Sequence, residues 1–102
     1  MNSINMTNHD ISLGIQIIPK SKTLDTYKLV DEAINVIKSS GVPHIITPFE
    51  TVMQGRYDEL MQISNNAQKA VLDAGAEECL VYYRIHYRKN ADVTFEEKRM
   101  DR

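Results

Sequence analysis

Apolar positions along the chain follow two different periods. From Ile11 to Pro19 (ISLGIQIIP), Leu13, Ile15 and Ile17 alternate with Ser12, Gly14 and Gln16, which is the period of a half-buried strand. Pro19 has no donor for a sheet ladder and is expected to stop that strand. After a polar link, Lys20 to Thr23, the spacing becomes helical. Tyr27, Val30, Ile34 and Ile37 form one stripe with Ala33 beside it, while Lys28, Asp31, Glu32 and Lys38 fall largely elsewhere. Thr23 or Asp25 is the candidate cap, and Gly41 followed by Pro43 marks the stop. Two short extended runs, His44 to Thr47 and Thr51 to Gly55, are joined across Pro48-Phe49-Glu50 and predict a hairpin. A second helical stripe runs through Tyr57, Leu60, Met61, Ser64, Ala67, Val71 and Ala74 and ends at Gly75. Asp58 and Glu59 in its first turn suit the positive end of the helix dipole. In the last strand, about Cys79 to Tyr87, Cys79, Val81, Tyr83 and Ile85 oppose Leu80, Tyr82, Arg84 and His86.

Strand, helix, strand, strand, helix, strand is the order of a split βαβ repeat. It predicts an α+β, ferredoxin-like sandwich: four antiparallel strands in the order 4-1-3-2, with both helices on one face. The other face is left open and carries Gln16, Gln54, Tyr82, Arg84 and His86. Such a mixed face calls for a partner, a ligand or water. Residues 1–10 read as a disordered polar tail. Residues 11–102 read as a single domain ending in a charged tail, Phe95 to Arg102.

Composition narrows the function classes. The 102 residues include 12 Lys+Arg and 14 Asp+Glu, a formal charge of -2, so the basic excess of a nucleic-acid binder is missing. One cysteine, Cys79, cannot make an internal disulfide. No apolar run approaches the roughly 20 residues of a membrane helix. The first residues, MNSINMTNHD, lack the basic start and apolar stretch of a secretory signal. A cytoplasmic protein is expected, with no membrane partner. Its core is small enough that self-association would add useful stability.

Candidate chemistry is sparse. His9, His44 and His86 show no metal-ligand spacing. Cys79 opens a strand on its buried face, where a thiol is a small core residue rather than a nucleophile. Neither a Gly-x-Ser-x-Gly elbow nor a glycine-rich phosphate loop is present. The pairs Asp58-Glu59, Glu77-Glu78 and Glu96-Glu97 belong to a helix start, a loop and the tail, with no shared pocket implied. Val52-Met53-Gln54-Gly55-Arg56 has a superficial likeness to the phosphate loop of acylphosphatases. That loop follows the first strand, however, and here the first strand is followed by Pro19-Lys20-Ser21-Lys22. No enzyme is expected.

Several fragments, taken in order, carry a family resemblance. They are Ile17-Ile18-Pro19, Ser40-Gly41-Val42, Pro48-Phe49-Glu50-Thr51-Val52-Met53-Gln54-Gly55, Tyr57-Asp58-Glu59-Leu60, Asp73-Ala74-Gly75-Ala76, Tyr83-Arg84-Ile85 and Arg88. Together they resemble the small thiamine-binding proteins, single-domain relatives of the bacterial hydroxymethylpyrimidine- and thiamine-binding proteins. The resemblance implies a ferredoxin-like fold, dimers or dimers of dimers formed through the sheets, and binding of thiamine or its pyrimidine precursor. It implies neither catalysis nor a cofactor. Two positions depart from the family pattern: Glu50 replaces a glycine and Gln54 replaces a glutamate, so the carboxylate is moved rather than lost. Gln54 is then expected to contact the aminopyrimidine through its amide, and Gln54→Glu to tighten binding of a cation.

A flat aminopyrimidine joined to a cationic ring needs amide or hydroxyl partners and an aromatic surface. Gln16, Thr47, Phe49, Thr51, Gln54 and Tyr82 supply those types and form the expected ligand set. Leu80, Tyr82, Arg84 and His86 form the expected interface between copies; Arg84 also suits a phosphate. The alternative is a structural or regulatory homo-oligomeric module without a ligand. A small phosphate-handling enzyme is a distant third.

Overall fold

A computed structural model describes residues 5–99. The chain order is β1 (Ile11–Lys20), α1 (Thr26–Ser40), β2 (His44–Ile46), β3 (Thr51–Gly55), α2 (Tyr57–Asp73), β4 (Glu78–His86) and a 3-10 turn (Glu96–Lys98). The strands form one antiparallel sheet in the order β2-β3-β1-β4, and the ferredoxin-like topology is the expected one. Alternation along β1 does the sorting. Ile11, Leu13 and Ile15 pack with Met53 against Leu29, Ala33 and Ile37 of α1 and Leu60, Ala67 and Val71 of α2. Ser12, Gly14 and Gln16 consequently face the other way.

Local sequence sets the ends of the helices. The Asp25 carboxylate accepts the Tyr27 N–H at 2.9 Å and caps α1, while Gly41 takes φ 81° at its C-terminal end. The buried face of α1 is Leu29, Ala33 and Ile37, and Tyr27 is 82% exposed. The expected stripe through Tyr27, Val30 and Ile34 is therefore rotated by about one position. In α2 the inward residues are Leu60, Ile63, Ser64, Ala67 and Val71, and Ala74 is exposed.

Two expectations need correction. Pro19 does not stop β1; it pairs with Cys79, and Lys20 continues to Glu78. Beyond Ile15, β1 has a partner on one side only, which is where a sheet tolerates proline. Nor is the described part of the N-terminal tail frayed. Thr7 is buried and donates to the Lys89 carbonyl, the Asp10 N–H donates to the Asp92 carboxylate at 2.7 Å, and Asn5 accepts the Asp58 N–H. Residues 1–4, the rest of that tail, and residues 100–102 of the charged C-terminal tail lie outside the described residues. Among those described, no helix is long and apolar enough to cross a membrane, and no group of His, Cys, Asp and Glu is placed to hold a metal ion.

Candidate functional site

On the face away from the helices, strand register aligns Ile45, Val52, Gly14 and Arg84 across all four strands. Gly14 lies on the central strand and leaves a hollow between its neighbours. Glu50 occupies it: a Cβ built on Gly14 would meet Glu50 Oε1 at 2.8 Å and Oε2 at 3.2 Å. The carboxylate reaches there because the β2–β3 turn is tightly closed. Thr47 Oγ1 donates to the Glu50 carbonyl at 2.7 Å and accepts the Phe49 and Glu50 N–H groups at 3.2 and 3.0 Å. Arg84 Nε stands 3.9 Å from Glu50 Oε2, a loose ion pair that leaves the carboxylate oxygens open to a further donor.

The next row along the sheet is Gln54, Ser12 and His86. Over it folds the segment that follows β4. Val93 is fully buried and donates its N–H to the Asp10 carbonyl at 2.9 Å. Arg88 clasps Glu97 through two parallel bonds of 2.8 and 2.6 Å, and the Thr94 N–H donates to the same carboxylate at 2.9 Å. These bonds hold the Glu97 carboxyl at about 2, well below its usual 4.5. Gln54 bridges the two ends of the described chain: Oε1 accepts the Phe95 N–H at 2.9 Å and Nε2 points at Asp10 Oδ2, 3.5 Å away. Phe95 is thereby set as one wall of a pocket of about 560 Å³, whose floor and other walls include Gly14, Ile45, Glu50, Val52 and Arg84. That volume falls within the range of small-molecule sites.

The structure divides the residues expected to bind ligand. Gln16, Thr47 and Phe49 line one small cavity with Glu50 and Arg84, adjoining the pocket over Gly14. Thr51 is buried on the helix-facing side, since its partners are Ile15 and Ile46 and the alternation sends it inward, yet it lines a second cavity of about 240 Å³ beside α1 together with Gln16, Thr47 and Phe49. Gln54 lies on the open face as expected, but its amide is engaged by Phe95 and Asp10 and does not face the hollow. Tyr82, 55% exposed, pairs with Gln16, and Leu80, 45% exposed, pairs with Ile18. Arg84 and His86 lie on that same face and both line the pocket. Sequence reasoning missed Gly14 and Phe95. A glycine inside an alternating apolar strand was the available signal, because it marks a bulge or a close approach.

Fold and pocket define a small ferredoxin-like domain with the Glu50 carboxylate set over Gly14 on the open face. The sequence model of the thiamine-binding protein family matches residues 13–101, and the chain belongs to that family. It is 33% identical to the UPF0045 protein CPE1503 of Clostridium perfringens over 87 residues, covering 85% of this chain and 90% of that protein. A domain of unknown function from Bacillus cereus superposes with a TM-score of 0.87 at 38% identity, covering 94% of this chain and 91% of that one. A candidate thiamine biosynthesis or salvage protein of Thermotoga maritima shares the fold, with a TM-score of 0.78 at 22% identity over 87% of this chain and 94% of that one.

Proposed function

We propose that this protein binds thiamine, or its hydroxymethylpyrimidine moiety, without catalysis, in the pocket over Gly14. One observation carries the reading: the Glu50 carboxylate fills the space that a Gly14 side chain would take and lines a pocket walled by Ile45, Val52 and Phe95. A cationic thiazolium or an amino group needs an acceptor, and a charged acceptor forms the stronger bond. Glu50 takes the role that the family resemblance gives to a glutamate at position 54. Membership of a family named for thiamine binding supports the same ligand. Native mass spectrometry of protein purified without added ligand tests the reading: a species heavier by one thiamine or one pyrimidine supports it. Apo protein that stays apo with excess thiamine refutes it.

A second reading has its own observation. Leu80 and Tyr82 stand exposed side by side on the open face, at 45% and 55%. A homodimer or dimer of dimers formed through the sheets would cover them, with or without a ligand.

A further inference from the structure

We propose that the ligand of this pocket is a phosphate monoester, its phosphate seated at the end formed by His86 and Lys98; the inference rests on the thiamine reading of the same pocket. Charge on the walls is the ground. Glu50 is the one acidic residue lining the pocket, against Arg84, Lys98 and Arg99, and the His86 imidazole lines it as well. Arg99 is bridged to Glu96 at 3.1 Å and contributes mainly its field. Among the described residues Arg84 meets a carboxylate only at 3.9 Å, and the Lys98 ammonium pairs with none.

Thiamine itself engages Glu50 and leaves Arg84 and Lys98 without an anionic group on the ligand. Esterification with phosphate adds about -1.5 to -2 charges at neutral pH and reverses the sign of the ligand as a whole. The two ends are also correctly spaced. Glu50 lies over Gly14, which pairs with Arg84; His86 pairs with Ser12, two residues along the strand. That is about 6–7 Å at the usual strand rise, the order of length of a two-carbon arm between a ring and a phosphate ester. Lys98 comes from the segment that Gln54 and Arg88 hold down, so the anion-binding end depends on a part of the chain outside the sheet.

Calorimetric titration of the full chain with thiamine and with thiamine monophosphate decides the matter. The monophosphate should bind at least about tenfold more tightly, as expected for a new charge-assisted contact. Lys98→Ala should shrink that advantage to within about threefold, and Lys98→Arg should restore it. Equal affinity for the two ligands overturns the phosphate assignment and leaves the thiamine reading standing. An advantage that survives Lys98→Ala intact overturns the placement at Lys98. If neither ligand binds, both the inference and the reading beneath it fall.

Discussion

The Glu50 carboxylate stands where a side chain on Gly14 would be, with Oε1 2.8 Å from the position of the missing Cβ. The obstacle is the tip of a flexible side chain, not backbone, so Gly14→Ala should fold. Alanine is the better strand residue by about 0.5–1 kcal/mol, which offsets the local rearrangement. Thermal unfolding should therefore show stability within about 1 kcal/mol of the parent, while side-chain NMR shows the Glu50 γ-methylene resonances moved. Severe destabilisation would mean that Glu50 over Gly14 is a packing requirement and not a carboxylate kept for a ligand.

Gln54 leads to a prediction opposite to the one that the family pattern suggests. Its amide accepts from Phe95 and points its donor at Asp10, whereas an ionised carboxylate can only accept. Gln54→Glu would put a second carboxylate about 3.5 Å from Asp10 Oδ2 and should loosen the segment after β4. The expected loss is about 1–3 kcal/mol, and Asp10→Asn in the same chain should recover most of it. Denaturant titration of the single and double variants measures both. An undiminished Gln54→Glu protein would show that the bridge holds nothing.

Acid should release the same segment. Glu97 has its folded pKa lowered from 4.5 to about 2, chiefly by the Arg88 bond and then by the Thr94 N–H. The folded state thus favours the ionised form, and the stabilisation is fully present above pH 4.5 and lost as pH falls towards 2. Val93 methyl resonances should drift towards exposed values across that window, and the drift should be absent in Glu97→Gln. Identical acid profiles for the two proteins would remove the clasp from the account.

Much of this architecture was legible in the chain, because burial in a two-layer sandwich imposes a period of two on each strand and a helical stripe on each helix. The open face followed from alternation alone: Gln16, Gln54, Tyr82, Arg84 and His86 all lie there. The inward turn of Thr51 was not legible, because position in the turn-to-strand sequence says nothing of parity until the register with Ile15 is known. Gln54 was credited with ligand contact because Phe95 lies 41 residues away, and a long-range bond leaves no local pattern. The same holds for Glu50, whose place over Gly14 depends on a turn closed by Thr47 and on a cross-strand neighbour.

Assembly gives an independent prediction. If copies pack through the open faces, Tyr82→Asp places a charge in the covered surface and should shift sedimentation velocity towards the monomer at tens of micromolar protein. Leu80→Ala should weaken association less, since it only reduces apolar area. A parent chain that sediments as a monomer, or a Tyr82→Asp chain that assembles normally, would contradict this face as the interface.

The claim that Glu50 over Gly14 makes a thiamine site is tested most directly by calorimetric titration of thiamine into the parent chain and into Glu50→Gln. The substitution keeps the size of the side chain and removes its charge. A hydrogen bond to a charged group contributes about 1.5–3 kcal/mol, so the parent should bind and Glu50→Gln should bind about tenfold or more weakly. Equal affinity in the two proteins would contradict the account.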